Sequence, residues 1–133
     1  MKINITNVYS IQIVAITILL LSFGNVAGQE NKQMVRLAKL VIDSTQLEAY
    51  NIFLKEEIEA SIKLEKGVLT LYAVAEKSKP THITILEIYA STEAYKAHTQ
   101  TPHFLKYKNG TKDMVKWLEL VEVDPLIKDM KIK

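Results

Sequence analysis

The sequence predicts an α+β fold of the ferredoxin-like kind, β-α-β-β-α-β, in which a four-stranded antiparallel sheet carries its helices on one face. Three observations lead there. Across residues 34–126, apolar residues switch between a period of two and a period near that of a helix, in that order of elements. The two middle strand-like runs are separated only by a short polar stretch, which makes them a hairpin. Finally, each strand is apolar on both of its faces, whereas two helices can cover one face of a sheet. An uncovered apolar face of that extent is rare on a soluble monomer, and a second copy packed sheet to sheet about a two-fold axis is the simplest cover. The expected assembly is therefore a homodimer, a dimeric α+β barrel.

Taken in order, Met34 to Ile42 is rich in strand-forming residues and stops at Asp43 and Ser44. From Thr45 the period changes. Thr45 with Glu48 fits a capping box, and Leu47, Tyr50, Leu54, Ile58 and Ile62 recur at helical spacing. Lys63 and Lys66 suit the negative end of the helix dipole, and Gly67 offers a left-handed cap. Val68 to Glu76 reads as the second strand, Lys77 to Thr81 as a loop, and His82 to Tyr89 as the third strand. Ser91 or Thr92 can cap a short helix through Tyr95 and His98, with Glu93 in its first turn. Pro102 cannot continue that helix but suits the first turn of another, running to about Lys108, where Asn109 and Gly110 are expected to end or kink it. Lys116 to Val123 is the last strand, closed by Asp124 and Pro125. Alternation sets Leu69, Leu71, Ala73 and Ala75 against Val68, Thr70, Tyr72 and Val74. It likewise sets Leu86 and Ile88 against Ile83, Ile85 and Tyr89, and Leu118 and Leu120 against Trp117, Val121 and Val123.

Residues 1–28 differ from the rest. Lys2 is their only charged side chain, Ile11 to Phe23 is almost wholly apolar, and Val26, Ala27 and Gly28 supply small residues before Gln29. This is the layout of a secretory signal peptide cleaved after Gly28. Its apolar core falls short of the ~20 residues a spanning helix needs, although an uncleaved membrane anchor is the other reading. The expected organisation is a leader (1–28), a short linker (29–33), one domain (34–126) and a tail (127–133), with export to the periplasm or beyond and no stable membrane span after cleavage. The chain has no cysteine, which removes disulfides, thiolate metal sites and a thiol nucleophile. A net charge of +2, spread along the chain, argues against nucleic acid as a partner.

Chemistry concentrates near the proline. His98, at the end of the short helix, is a candidate general base, or else a structural ring that fixes the Pro102 turn. His103 is expected to cap or orient the next helix. Five residues across a proline do not put the two imidazoles on one helical face, so no metal site is expected. His82 beside the Pro80 turn is expected to be solvated. Glu87 stands among apolar neighbours on a strand; it is a second catalytic candidate or the partner of Arg36 or Lys39 in a salt bridge. Tyr72, Tyr89, Tyr95, Phe104, Tyr107 and Trp117 could line an aromatic-binding pocket or belong to the core. Asn109-Gly110-Thr111 fits a glycosylation sequon, a weak three-residue pattern.

The run from Ala94 to Phe104, Ala-Tyr-Lys-Ala-His-Thr-Gln-Thr-Pro-His-Phe, preceded by Glu87 and Tyr89, resembles the central motif of the antibiotic biosynthesis monooxygenase (ABM) family, and within it the small bacterial quinol monooxygenases. The resemblance extends more weakly from Met34 to about Leu126. It implies a dimeric α+β barrel and a cofactor-independent monooxygenase acting on a quinol or similar phenolic compound. In that chemistry an electron-rich hydroxyaromatic loses a proton and its anion reduces dioxygen directly. The protein then need supply a dry pocket, a proton acceptor and hydrogen-bond donors. Within that chemistry His98 is the expected proton relay, with Tyr72 and Tyr89 orienting the ring, and Tyr95, His103, Phe104, Tyr107 and Trp117 are the candidates to stand beside the substrate. A barrel that binds a small ligand or serves in stress without turnover is the alternative. Haem degradation, known in relatives that use a tryptophan and a histidine, is opposed by His98 and Lys108 at the corresponding positions.

Overall fold

A computed structural model describes residues 32–127. The expected leader, most of the linker and the end of the tail lie outside the described residues. The elements are β1 (Met34–Ile42), a 3-10 turn (Ser44–Gln46), α1 (Leu47–Leu64), β2 (Val68–Glu76), β3 (Lys79–Tyr89), α2 (Thr92–His98), α3 (Pro102–Thr111) and β4 (Val115–Val123). The strands form one antiparallel sheet in the order β2-β3-β1-β4, the ferredoxin-like arrangement.

Register determines the two faces. Ala38 pairs with Ile85 and Leu120, Leu40 with Ile83 and Leu118, and Arg36 with Glu87 and Glu122. Ala38, Leu40, Ile42, Ile83 and Ile85 are buried under Tyr50 and Leu54 of α1, and this is the core. The other face carries Val35, Leu37 and Val41 beside Leu86, Ile88, Val121 and Val123, all half-buried, with Tyr72, Val74 and Trp117 exposed. Apolar residues thus occupy both faces, while helices cover one. No helix among the described residues is long and apolar enough to cross a membrane.

Several local expectations change. The third strand begins at Lys79, so the hairpin turn is Lys77 and Ser78 alone. Pro80 is tolerated there because pairing with β1 starts only at His82 and the β2 register shifts between Ala75 and Glu76, leaving Pro80 outside both ladders. No Thr45–Glu48 capping box forms. Asp43 does the capping instead, its Oδ1 accepting from Thr45 N at 2.9 Å and from Thr45 Oγ1 at 2.7 Å. Gly67 supplies no left-handed turn; it is required because a Cβ there would stand 2.7 Å from Ala94 Cβ, where β2 meets α2. α3 runs through Asn109 and Gly110 to Thr111, and a Cβ at Gly110 would collide with the Phe53 ring of α1. Close helix–helix approach, not helix termination, explains that glycine.

The buried stripe of α1 also differs from the expected one. Tyr50, Leu54, Glu57 and Ser61 face inward, while Ile62 is exposed and Ile58 half-buried. The spacing of four, three and four is helical, but the stripe turns polar halfway along. That polar half faces the site.

Candidate active site

Between the sheet and the helices lies a cavity of about 850 Å³, within the size range of small-molecule sites. Arg36, Ala38 and Leu40 of β1 line it, with Ile85, Glu87 and Tyr89 of β3 and Leu54 and Glu57 of α1. Tyr95 and His98 of α2, and Phe104, Tyr107 and Lys108 of α3, close it from the other side, while Leu118 and Leu120 of β4 stand at its open edge.

Each wall follows from local sequence. Ser91 Oγ accepts from Ala94 N at 3.1 Å, starting α2 as the capping pattern requires. Thr101 caps α3 in the same way, accepting from Phe104 N at 3.3 Å, with Pro102 in the first turn. The expected capping role of His103 therefore belongs to Thr101. The tight α2–α3 corner is held by Thr101 Oγ1, which also donates to the His98 carbonyl at 2.8 Å. His98 is thereby pinned at the corner with its ring turned inward, 2 % exposed.

At one end of the cavity, Arg36 and Glu87 form a buried ion pair. Glu87 Oε2 accepts from Arg36 Nε at 3.0 Å, from Arg36 Nη2 at 2.7 Å and from Tyr89 Oη at 3.1 Å. The guanidinium also lies over the Tyr95 ring, 4.3 Å from its centroid. Burial opposes the charge on Arg36, but Glu87 and Tyr95 outweigh it and raise the guanidinium's pKa. Burial, reinforced by the Glu87 charge, pushes the Tyr89 phenol well above its ordinary range. Of the two sequence readings of Glu87, the salt bridge with Arg36 is the one the geometry supports.

His98 is held between two carboxylates. Its Nδ1 lies 3.0 Å from Glu65 Oε1, and its Nε2 lies 3.5 Å from Glu57 Oε1. Glu57 Oε1 also accepts from Ser61 Oγ at 2.7 Å. Burial raises the Glu57 pKa against the opposing effects of Ser61, His98 and His103. Burial would raise Glu65 too, but its hydrogen bonds to His98 and His103 prevail and lower it. Phe104 meets the His98 ring edge-on at 4.9 Å. Deeper in the helix layer, the hydroxyls of Tyr50 and Tyr107 share a hydrogen bond of 2.7 Å. Burial pushes Tyr50 up to about 12 and Tyr107 higher still.

The two imidazoles do meet, against the expectation from their spacing. They sit on different helices, yet His103 Nε2 reaches the same Glu65 oxygen as His98. Glu65 Oε, His98 Nδ1 and His103 Nε2 lie within 4.8 Å of one another, a set of metal-binding atom types. Both imidazoles are committed to one carboxylate oxygen, and the arrangement acts as a clamp joining the end of α1 to the α2–α3 corner.

Of the residues expected at the site, His98, Glu87, Tyr89, Tyr95, Phe104 and Tyr107 gather around the cavity. His103 lies behind His98, outside the lining. Tyr72 points to the opposite face of the sheet, 66 % exposed, and does not meet the others. Trp117 touches the cavity's rim, but its register with Val41 sets its side chain on that same opposite face. His82 is half-buried, beside Thr81, rather than solvated. Sequence reasoning missed Glu57 and Glu65; a polar residue at core spacing, Glu57 between Leu54 and Ser61, was the available signal.

The ABM family model, antibiotic biosynthesis monooxygenase, matches residues 34–110. Among solved structures, the chain is similar to a candidate antibiotic biosynthesis monooxygenase from Bacteroides thetaiotaomicron VPI-5482. The two share 61% identity over 77% of this chain and 97% of that one, with a TM-score of 0.76. A candidate monooxygenase from Lactobacillus acidophilus NCFM is 26% identical over 72% of this chain and 51% of that one, with a TM-score of 0.66. A third, from Nitrosomonas europaea, is 21% identical over 74% and 93% of the two chains, with a TM-score of 0.67, and shares the fold. A comparison with curated proteins gives no match. The family model covers more than half of the sequence, and the stretch that carries the resemblance places Tyr95, His98 and Phe104 in the cavity wall. The chain belongs to the antibiotic biosynthesis monooxygenase family.

Proposed function

We propose that this protein is a cofactor-independent monooxygenase that oxidises a quinol or similar phenolic compound with dioxygen. The observation that carries the reading is the cavity itself. Its walls offer aromatic rings from Tyr89, Tyr95, Phe104 and Tyr107, and its polar groups converge from the Arg36–Glu87 pair and from His98. An aromatic ring is held by such walls through offset or edge-on packing, while a hydroxyl turns to the polar groups. His98 relays the proton released when the phenol ionises, and Arg36 favours the anion that forms. Membership of a monooxygenase family supports oxygen as the second substrate.

The working unit in this reading is a homodimer. The support is the apolar sheet face of Leu37, Leu86, Ile88, Trp117 and Val121, which no described helix covers. Export behind a cleaved leader completes the proposal, resting on the charge-poor apolar stretch before Gln29. Oxygen uptake by the purified protein with a panel of hydroquinones tests the activity. Binding of the quinol without oxygen uptake would leave a ligand-binding protein in its place.

A further inference from the structure

We infer that Glu57 is the group that takes the substrate's proton, and that His98 receives it in turn from Glu57. The inference rests on the phenol-oxidising reading above and names the acid–base pair of that site.

The geometry is asymmetric in a useful way. Glu57 lines the cavity from α1, and Glu65 does not. His98 lies between them, Nε2 toward Glu57 at 3.5 Å and Nδ1 toward Glu65 at 3.0 Å. The closer contact assigns the neutral ring's proton to Nδ1, donated to Glu65, which leaves the Nε2 lone pair facing Glu57. The step balances simply. A phenolic O–H gives its proton to the Glu57 carboxylate, leaving a phenolate and a carboxylic acid. The Glu57 acid then passes that proton to His98 Nε2, and the imidazolium is stabilised by Glu65 as a charge-assisted hydrogen bond. Reaching 3.5 Å requires only the tightening that catalytic hydrogen bonds undergo on binding.

Glu57 is otherwise hard to explain. It is a carboxylate at a core position of α1, 5 % exposed, with no Lys or Arg within salt-bridge distance among the described residues. The charged or polar groups facing it are Ser61 and Tyr50 on its own helix, His98 from α2, His103 and Tyr107 from α3, and Glu87 and Tyr89 from β3. Burial strengthens its hold on a proton, which brings it nearer to a phenol than an exposed carboxylate would be.

The test uses 4-nitrophenol, which reports its own ionisation by colour and is not a quinol. Bound to the wild-type protein, it should be ionised to a greater extent than the same phenol free in the same buffer. Glu57→Gln, an isosteric change that keeps an acceptor for Ser61, should bind it with that excess reduced at least tenfold. Ser61→Ala removes a hydrogen bond that weakens Glu57 as a base, so the excess should grow. His98→Gln should still ionise the bound phenol. Four results would overturn the inference: no binding, binding without excess ionisation, unchanged ionisation in Glu57→Gln, or ionisation lost in His98→Gln alone. Because no oxygen is consumed in this measurement, its failure is separate from a failure of the wild-type protein to oxidise quinols.

Discussion

Arg36 and Glu87 face each other across β1 and β3 and share a buried contact in which Nε and Nη2 of the arginine both donate to one carboxylate oxygen. A pair in that position is expensive to break, because the surviving charge stays buried without its partner. Arg36→Met should therefore lower stability by about 3–5 kcal/mol in urea unfolding. Replacing Glu87 with Leu in the same chain should restore much of the loss. If Arg36→Met costs no more than a surface substitution, the pair does not organise this end of the cavity.

The two carboxylates around His98 respond to pH with opposite sign. Glu65 is lowered in the fold, so its contribution is present above the ordinary glutamate range and is lost as pH falls through its folded value. Glu57 is raised, so its contribution is present below the ordinary range and is lost as pH rises through its folded value. Relative to the wild-type curve of stability against pH, Glu65→Gln should flatten the acid limb. Glu57→Gln should instead gain on the wild type as pH rises from acid toward neutrality. Chemical unfolding across that range reads both, and equal curves for all three proteins would contradict the assignment.

The strands and their pairing were legible because alternation is a local signal that burial enforces; Ile83, Ile85 and Tyr89 went to one face as the period of two demands. The α2–α3 corner was legible for a similar reason, since Ser91 and Pro102 carry their conformational preferences with them. What could not be read was contact between elements. Gly67 and Gly110 look like punctuation in a sequence, and only the approach of Ala94 and Phe53 explains them. Glu65 was hidden because its partners, His98 and His103, lie on other helices 33 and 38 residues away. Tyr72 was placed at the pocket because an aromatic residue on a strand does not announce which face the helices will choose.

The open sheet face leads to an expectation about assembly. Val121 stands on it, on the edge strand β4, paired with Leu37. Val121→Lys should leave little folded protein at micromolar concentration if the dimer is obligate, because the second copy supplies the cover for that face. Light scattering with circular dichroism measures this. A wild-type protein that is a stable, well-folded monomer at that concentration would contradict the dimer.

Export behind the apolar leader predicts a mature chain that starts near Gln29. N-terminal sequencing of protein recovered from the periplasm of the expressing cell should find that start. An intact chain in the membrane fraction, beginning at Met1, would be the opposite result.

The proposed oxidation of a phenol by dioxygen, with His98 carrying the proton, comes down to one experiment. The most direct measurement is oxygen consumption with hydroquinones by the wild-type protein and by His98→Gln, whose amide keeps a hydrogen bond but accepts no proton near neutrality. Uptake is expected of the wild type, with at least a hundredfold lower turnover by a variant that unfolds at nearly the same urea concentration. Normal turnover by His98→Gln would contradict the role of His98, and no uptake by the wild type with any hydroquinone would contradict the function.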